Sequence, residues 1–373
     1  LNTCYESLVS YYKKNDQKRA AALILAQRAL SDEISLQDNP MLESRINWLR
    51  DAVQLARSSP QAFAVAGDDG IGAETMLDWE ESLDVALEQK KIIDNAFVNS
   101  GADEELRNKL QRKLLDISVL HKIAKQFSQW ALCLSIIACS GSRGDDVKAE
   151  VKKNWNRIFR SCLLRLAGGK GAGEDLSAIL QQPHRWVKPI CDEILEKGRK
   201  FHGQARTSKG DFVVPVGYFI QLVEGLLLRF DARMEFEGHL VTTLRDVNIT
   251  WMELVDSYSR KTVDVDNFLQ LVGIQGTVSV PTIGKWKKDL HFLNKISVII
   301  NLWLDNVKRN QRPAEINELL SYIGGLREGV RQWKGECDHV QDANVSNYQA
   351  EVRAKLNAVE AMLNDFCSTY MNF

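Results

Sequence analysis

The sequence predicts an all-α fold, an irregular elongated α-solenoid of stacked antiparallel helix pairs. Apolar residues recur at helical spacing along most of the 373-residue chain. Glycine-rich and polar breaks interrupt the helical pattern at short intervals, and no run of residues makes a credible strand. Short loops favour antiparallel neighbours, and helix pairs that stack in series form an elongated chain. We therefore expect a radius of gyration well above the roughly 21 Å of a compact chain of this length.

The first predicted helical pair lies in residues 11–30, YYKKNDQKRAAALILAQRAL. Tyr11 and Tyr12 are expected to close a helix, residues 13–19 to turn through solvent, and residues 20–30 to return antiparallel. The returning segment is rich in alanine, and small side chains let two helices approach closely. The segment has no ligand set and no phosphate-cradling glycines, so we interpret it as a packing unit of the kind that recurs along the chain.

The third helix is predicted from a single apolar stripe. Its members step by four, three, four and three residues, which places them on one face of a helix: Leu42, Ile46, Leu49, Val53 and Ala56. Asn39 and Pro40 are expected to begin this helix. An asparagine side chain accepts hydrogen bonds from the first free amides, and proline is tolerated at the first helical position.

Helix follows helix through the rest of the chain. Two further stripes are Met76, Trp79, Leu83, Ala86, Ile93 and Phe97, and Leu106, Leu110, Leu114, Ile117, Ala124 and Phe127. More helices are predicted over residues 145–166, 186–201, 212–230, 235–246, 249–260, 264–273, 282–309, 313–333 and 344–371. Turn-forming segments lie at 67–72, 140–146, 168–173 and 275–281. Pro215 argues against a strand in the short β-like piece at 212–216.

Several helices carry apolar residues on more than one face, as Leu132, Leu134, Ile136 and Ile137 do together. This pattern is expected of a helix that packs between neighbours on both sides. The sequence has no repeat of fixed length, so the array is predicted to be irregular. We expect one solenoid region over residues 1–373, with a candidate subdivision near 168–173.

The clearest stripe lies in the last predicted helix, residues 344–371. Its members step by three or four residues along one face: Val345, Tyr348, Val352, Leu356, Val359, Leu363, Phe366 and Tyr370. The opposite face carries Glu351, Arg353, Asn357, Glu360 and Asn364. The last helix of a stack has no neighbour on its outer side and needs only one apolar face. We therefore predict a cap; the alternative is a docking surface for a partner helix.

The composition is that of an ordinary folded protein, with 45% hydrophobic and 26% charged residues. The 48 Lys and Arg residues nearly balance the 49 Asp and Glu residues, so no overall field attracts nucleic acid or an anionic membrane. The longest strongly apolar stretch, residues 131–139, is about half of the roughly 20 residues that a membrane-spanning helix needs. We expect it to be a core helix.

Cysteine usage indicates a reducing compartment. The seven cysteines form an odd set without CxxC spacing: residues 4, 133, 139, 162, 191, 337 and 367. Reduced thiols are typical of cytosolic and nuclear proteins, and we expect most of them to be small buried side chains. A helical pattern begins at the first residue, so the chain is expected to be part of a longer protein.

Two motifs invite a ligand but lack its full pattern. GGKGAGED at 168–175 has no GK[ST] ending and no preceding strand, so an inter-helix loop is the better interpretation. DDVKAE at 145–150 resembles the metal-binding DDxxD of helical prenyl-diphosphate enzymes, but Ala149 stands where the third carboxylate belongs. Asp145 and Asp146 are instead expected to be an N-cap and a first-turn acid.

No catalytic, cofactor or metal site is predicted. The six histidines, at 121, 184, 202, 239, 291 and 339, never adopt close ligand spacing. The nine tryptophans are spread at about one per helix, and helix packing explains most of them, although a few would suit a partner peptide. The sequence alone does not say which residues contact partners.

Five segments, in order along the chain, carry a family resemblance. They are YYKKNDQKRAAALILAQRA at 11–29, DEISLQ at 32–37, RINWLRDAVQLARSS at 45–59, CLSIIACSG at 133–141 and HLVTTLRDVNITWMELVDSYSRK at 239–261. Together they resemble the C-terminal solenoid region of the large inner-ring scaffold nucleoporin of the nuclear pore complex, the family with an N-terminal propeller. The resemblance covers roughly residues 5–261 and consists of packing patterns, not catalytic signatures.

The resemblance implies a structural constituent of the inner ring at the nuclear envelope, in support of nucleocytoplasmic transport. It implies two kinds of partner, other inner-ring nucleoporins and segments of disordered linker nucleoporins. No cofactor and no direct contact with nucleic acid are expected. Any membrane contact is expected to lie in an N-terminal part outside this sequence.

Two other functions share parts of this pattern. A solenoid subunit of a vesicle coat or tether would follow the same packing rules, but the order of three stretches, EISLQ, RINWLRDAVQLA and VTTLRDVNITWMELVDSY, favours the nucleoporin. An all-α enzyme would need convergent carboxylates in a polar cavity. We therefore expect a protein that is not an enzyme.

Overall fold

The computed structural model describes residues 2–31, 40–63, 73–96, 104–168, 176–202, 211–230, 236, 238–273, 285–340 and 346–370. These ranges contain seventeen α-helices and two short 3-10 segments, Pro60–Phe63 and Asp211–Val213, and they contain no strand. The all-α prediction is confirmed for this part of the chain. None of the helices in these ranges has both the length and the hydropathy of a membrane-spanning segment.

The chain divides into two compact units, residues 1–154 and 155–373. The first unit contains α1 (Asn2–Lys14), α2 (Lys18–Leu30), α3 (Leu42–Arg57), α4 (Ala73–Ala96), α5 (Glu104–Arg112), α6 (Ile117–Gln126), α7 (Trp130–Ser140) and the first half of α8 (Asp145–Leu166). The boundary falls inside α8. The predicted subdivision near 168–173 lies mostly outside the described residues and stays a prediction.

The second unit holds the rest of α8 and nine further helices. They are α9 (Leu176–Leu180), α10 (Pro183–His202), α11 (Val216–Arg229), α12 (His239–Asp246), α13 (Trp251–Ser259), α14 (Asp266–Leu271), α15 (Lys285–Asn310), α16 (Pro313–Asp338) and α17 (Ser346–Tyr370). In this unit α15 packs against α13, α16 and α17, and α10 packs against α12.

Tight turns of one kind join three of the helical pairs. Between α1 and α2, the Gln17 amide donates to the carbonyl of Tyr12 and the Asp16 amide to that of Lys13, with Asp16 in the left-handed region at φ 55°. These two hydrogen bonds together form the Schellman motif, which commonly ends a helix. Ser128 and Asn248 occupy the same position before α7 and α13. The pair predicted in residues 11–30 is thus confirmed, with a shorter turn than expected.

Small residues bring α2 and α3 together. Alanines on both helices are almost fully buried at their contact: Ala21, Ala22, Ala26, Ala29, Ala52 and Ala56. The five-residue stripe predicted for α3 is buried as well. The predicted start of α3 is wrong: the helix begins at Leu42 and its N-cap is Met41, without a side-chain cap. Met41 is extended, which leaves Pro40 outside the helix, and Asn39 lies outside the described residues.

Aromatic side chains build the core of the second unit. The rings of Trp155 and Phe219 meet edge to face with centroids 4.7 Å apart, and Trp155 also packs on Phe159. The indole of Trp155 donates to the carbonyl of Val213 at 2.7 Å, which satisfies its polar atom inside the core. Six of the nine tryptophans are buried and the other three are half-buried, so packing is the main use of this residue type.

Several predicted helix ends differ from the observed ones. The helix predicted from 212 begins at Val216, because Pro215 precedes it and Asp211–Val213 forms a 3-10 turn. The helix predicted over 186–201 begins earlier, at Pro183. The helix predicted over 313–333 continues to Asp338, and the short α9 was not predicted. Helix ends depend on local capping and on tertiary contacts, which apolar spacing does not report.

The last helix buries the predicted stripe. Val352, Leu356, Val359, Leu363 and Phe366 are fully buried, and α17 packs against α15 and α16. On its flanks, Glu360 accepts a hydrogen bond from Lys334 at 2.5 Å and Arg353 lies 3.0 Å from Asp338. Val345 lies outside the described residues. The role of α17 as a cap stays a prediction.

Candidate docking grooves

An acidic groove lies in the first unit between α4 and the start of α6. Its volume is about 350 Å³. Apolar side chains form most of its walls, namely Leu30, Val85, Leu114, Leu115 and Ile117, and three exposed carboxylates lie among them, Asp78, Glu81 and Asp116. None of the described residues that line this groove is a lysine, arginine or histidine.

A buried amide holds one wall of the acidic groove in place. Gln89 of α4 is fully buried, and its amide nitrogen donates to the carbonyls of Leu110 and Lys113, both at 2.6 Å. Its oxygen accepts a bond from the amide of Leu115 at 3.0 Å. These three bonds tie the segment between α5 and α6 to α4. The wall is therefore preformed and does not depend on an occupant.

A second groove, the α1 groove, lies among α1, α2 and α3 and has a volume of about 540 Å³. The guanidinium of Arg28 lies 4.8 Å from the ring centroid of Tyr5 and 5.5 Å from that of Trp48. Lys13, which also lines the groove, pairs with Asp51 at 3.6 Å. The lining therefore combines aromatic, basic and acidic groups. Charge alone does not select its occupant.

A third groove, the Trp251 groove, lies in the second unit among α12, α13 and α15, with a volume of about 480 Å³. The ring of Trp251 stacks on Trp303 with centroids 6.3 Å apart, and the guanidinium of Arg245 lies 4.4 Å from the Trp251 ring centroid. Two arginines and two aspartates line this groove together with two asparagines. In this groove the positive and negative side chains are equal in number.

A buried polar cluster links three helices of the second unit. Glu224 of α11 accepts a hydrogen bond from the hydroxyl of Tyr258 on α13 at 2.7 Å. On α15, His291 Nε2 lies 2.7 Å and Lys295 Nζ 3.6 Å from the other carboxylate oxygen. All four side chains are at most 2% exposed. Because water does not reach it, this cluster joins helices and does not meet a substrate.

The surroundings of Glu224 determine its charge. Burial by itself would raise the pKa of this carboxyl group, but the charge of Lys295 and the hydrogen bond from His291 outweigh burial and lower the pKa to about 2. Burial, together with the negative charge of Glu224, raises the pKa of Tyr258 well above its ordinary value. Glu224 is therefore ionised at neutral pH, and Tyr258 remains a neutral donor.

The acidic motif at 145–150 forms ion pairs that point in different directions. Asp145 pairs with Lys148 one turn along α8 at 2.8 Å, whereas Glu150 pairs with Lys125 of α6 at 2.7 Å. The N-cap prediction for Asp145 is wrong by one residue: the carbonyl of Gly144 accepts the first helical bond, and Asp145 and Asp146 both lie in the first turn. In the described part of the chain, no three His, Cys, Asp or Glu side chains are arranged around a metal position.

All seven cysteines lie in described residues and are free thiols, four of them buried, as expected. Sequence reasoning did not find the three grooves or the Glu224 cluster. One signal was available for the acidic groove: α4 carries Glu74, Asp78 and Glu81 at steps of four and three residues, an acidic stripe beside its apolar face. The partners of Glu224 are too distant in sequence for such a signal.

The sequence model of one protein family, described as non-repetitive/WGA-negative nucleoporin C-terminal, matches residues 3–334. The chain belongs to this family. The nucleoporin resemblance seen in the sequence is thereby confirmed. A nucleoporin is a constituent of the nuclear pore complex, so the family places the chain at the nuclear envelope.

Solved nucleoporin structures share its fold. A methionine-substituted variant of the Chaetomium thermophilum Nup170 C-terminal domain is 16% identical, with a TM-score of 0.59, and the match covers 96% of this nucleoporin and 62% of that chain. The complex of the same domain with Nup145N gives 14% identity and a TM-score of 0.54, over 96% and 63% of the two chains. The Nup170 solenoid gives 14% and 0.57, over 96% and 43%.

These matches confirm the α-solenoid fold, and at such low identity they show the fold alone. The nucleoporin chain spans less than two thirds of the length of the solved chains that it matches.

Proposed function

We propose that this chain is a scaffold segment of the inner ring of the nuclear pore complex that docks short segments of linker nucleoporins. The observation that carries the proposal is the family match, which covers nearly all of the first compact unit and residues 155–334 of the second. A solenoid of this family offers successive helix pairs, and the spaces between them make grooves for extended or helical peptides.

The interior of each unit suits a scaffold. In the second unit, the Glu224 cluster and the aromatic core fix helices that are distant in sequence. In the first unit, Arg45 of α3 is fully buried and donates to the carbonyls of Ala29 and Ser31 at 2.5 and 3.0 Å. These groups hold helices together and are enclosed. We infer a structural role and no catalytic one.

The proposed partners are other inner-ring nucleoporins and disordered linker segments. Support for the linker comes from the similar Nup170 domain, which was solved in complex with Nup145N. The three grooves of this chain have volumes of about 350 to 540 Å³, within the range of about 300 to 1,000 Å³ typical of ligand sites. Such grooves accept a few side chains of a peptide and not a folded domain.

Affinity capture of the full-length protein from cells, with identification of the co-purifying proteins, tests the scaffold role. Inner-ring nucleoporins are the expected partners, and recovery of vesicle-coat subunits in their place would overturn the assignment. Calorimetry with synthetic linker segments tests the docking role. Dissociation constants below about 1 mM support docking, and weaker binding of every segment would leave a scaffold without linker grooves.

A further inference from the structure

The acidic groove differs from the other two grooves in having one sign of charge. Asp78 and Glu81 lie on α4, Asp116 lies across the groove at the start of α6, and all three are exposed. The α1 groove and the Trp251 groove each include both lysine or arginine and carboxylate groups. The electrostatic preference of the acidic groove is therefore for a cation, whereas the other two have no clear preference.

The side chain of Asp116 does not cap the helix that it begins. Asp116 is the N-cap residue of α6, and its backbone carbonyl accepts the amides of Val119 and Leu120. An aspartate at this position usually accepts an amide bond with its side chain, but the side chain of Asp116 makes no such cap bond. Asp116 is one of the residues that line the groove.

Apolar surface lies open beside the carboxylates. Leu30 in the groove is 40% exposed, and Leu77, one residue before Asp78 on α4, is 53% exposed. Large apolar side chains at these exposures gain free energy when a partner covers them. An occupant of this groove thus needs both an apolar anchor and positive charges beside it. Nucleic acid and anionic lipid surfaces carry the wrong charge for it.

We propose that the acidic groove binds a basic, apolar peptide segment. A large apolar side chain of the segment sits among Leu30, Val85 and Ile117, and flanking lysines or arginines pair with Asp78 and Asp116. The inference rests on the proposed docking function and specifies the chemistry of one partner segment. Because Gln89 already holds one wall in place, this wall does not have to form when the segment binds.

Fluorescence anisotropy with two labelled peptides tests this inference on the full-length protein. One peptide has a Leu-Ile centre flanked by lysines and arginines, and the other has glutamates and aspartates in the flanking positions. We expect only the basic peptide to bind. The groove variant Asp78→Asn/Asp116→Asn should bind it about fivefold more weakly at low salt, and the difference should shrink as salt screens the exposed pairs.

A matched control removes the same charge elsewhere. Asp192→Asn/Asp256→Asn changes two exposed carboxylates of the second unit and should leave the affinity within about twofold of the wild type. Leu30→Ser tests the apolar anchor and should weaken binding about threefold. Melting temperatures of all variants show whether the fold is retained; these positions are exposed, so little change is expected.

Three results would overturn the inference: equal binding of the acidic peptide, equal losses in the groove and control variants, or no binding of the basic peptide. Linker-nucleoporin segments separate this inference from the proposed function. A segment that binds the wild type and the groove variant equally contradicts the acidic-groove inference and leaves docking intact. Failure of every linker segment, with the basic peptide still bound, contradicts linker docking alone.

Discussion

At Glu224, three side chains from two other helices decide the charge of a carboxylate that water does not reach. Lys295 and His291 lower its pKa against the effect of burial, and Tyr258 donates to it. A buried ion pair is costly to break, because removal of one partner leaves the other charge without compensation. The cluster is therefore a point at which a single substitution affects three helices.

Glu224→Gln should lower the free energy of unfolding at pH 7 by about 3 to 5 kcal/mol, since Lys295 loses its counter-charge. Urea denaturation measures this change. Glu253→Gln, the same substitution at an exposed position of α13, should change it by less than about 0.5 kcal/mol. If the two variants have the same free energy of unfolding, the buried pair does not contribute to the stability of the protein.

The same variant should also alter the dependence of stability on acid. The pKa of Glu224 is about 2 in the folded protein, against 4.5 for an unperturbed glutamate, so the unfolded chain binds the proton first as pH falls. The contribution of Glu224 is fully present above about pH 4.5 and declines as pH falls toward 2. Between these values, wild-type stability should fall more steeply than that of Glu224→Gln, as measured by urea titrations at several pH values.

Arg45 has a comparable role at the end of α2. Its guanidinium donates to the carbonyl of Ala29, in the last turn of α2, and to that of the C-cap residue Ser31, where positive charge also complements the helix dipole. Arg45→Met should cost about 2 to 4 kcal/mol in denaturation experiments, because two charged hydrogen bonds are lost, one of them buried. Arg50→Met, on the exposed side of α3, is the control; a similar loss there would contradict the capping role.

Gly225 and Gly324 both lie in the middle of a helix, but Gly225 is closely packed and Gly324 is not. A Cβ atom on Gly225 of α11 would lie 2.5 Å from a methyl carbon of Val265 and 2.6 Å from one of Val263, whereas a Cβ on Gly324 of α16 would meet nothing within 4 Å. Gly225→Ala should therefore destabilise the protein by about 1 to 3 kcal/mol. Gly324→Ala should stabilise it by up to about 1 kcal/mol. Thermal denaturation that shows the same sign for both would contradict this account.

Substitutions in α17 test the prediction that this helix is a cap. Leu356→Asp/Leu363→Asp places two charges among buried side chains and should lower the melting temperature and promote aggregation. Asn357→Asp/Asn364→Asp adds the same charges on the exposed face of α17 and should have little effect. If the leucine variant melts at the wild-type temperature, α17 is not a cap. The stripe would then be better explained as a docking surface for a partner helix.

For the whole molecule, the solenoid fold predicts that substitutions act locally, because each repeat contacts mainly its neighbours. Hydrogen exchange of Glu224→Gln should accelerate in α11, α13 and α15, while α2 and α3 of the other unit keep wild-type rates. Arg45→Met should show the opposite distribution. Uniform acceleration in both units for either variant would indicate one cooperative folding unit.

Apolar spacing predicted the helices well and their ends poorly. The stripes of α3 and α17 are buried as expected, since each depends only on the 3.6-residue turn of the helix itself. The starts of α3 and α11 differ from the prediction, because caps and prolines change the local backbone. The predicted span of α8 is correct, but its N-cap is Gly144, one residue before Asp145. A compact motif such as DDVKAE also misleads when its carboxylates pair with different helices.

The sequence by itself determined the all-α class, the irregular stacking and the nucleoporin resemblance, since all three depend on residues that are near one another in the chain. Only the tertiary structure decided which side chains meet. His291 reaches Glu224 across 67 residues, and the acidic groove requires α4 and the start of α6 to lie side by side. Such contacts depend on how helices pack in three dimensions, and helical periodicity within a segment carries no information about its neighbour.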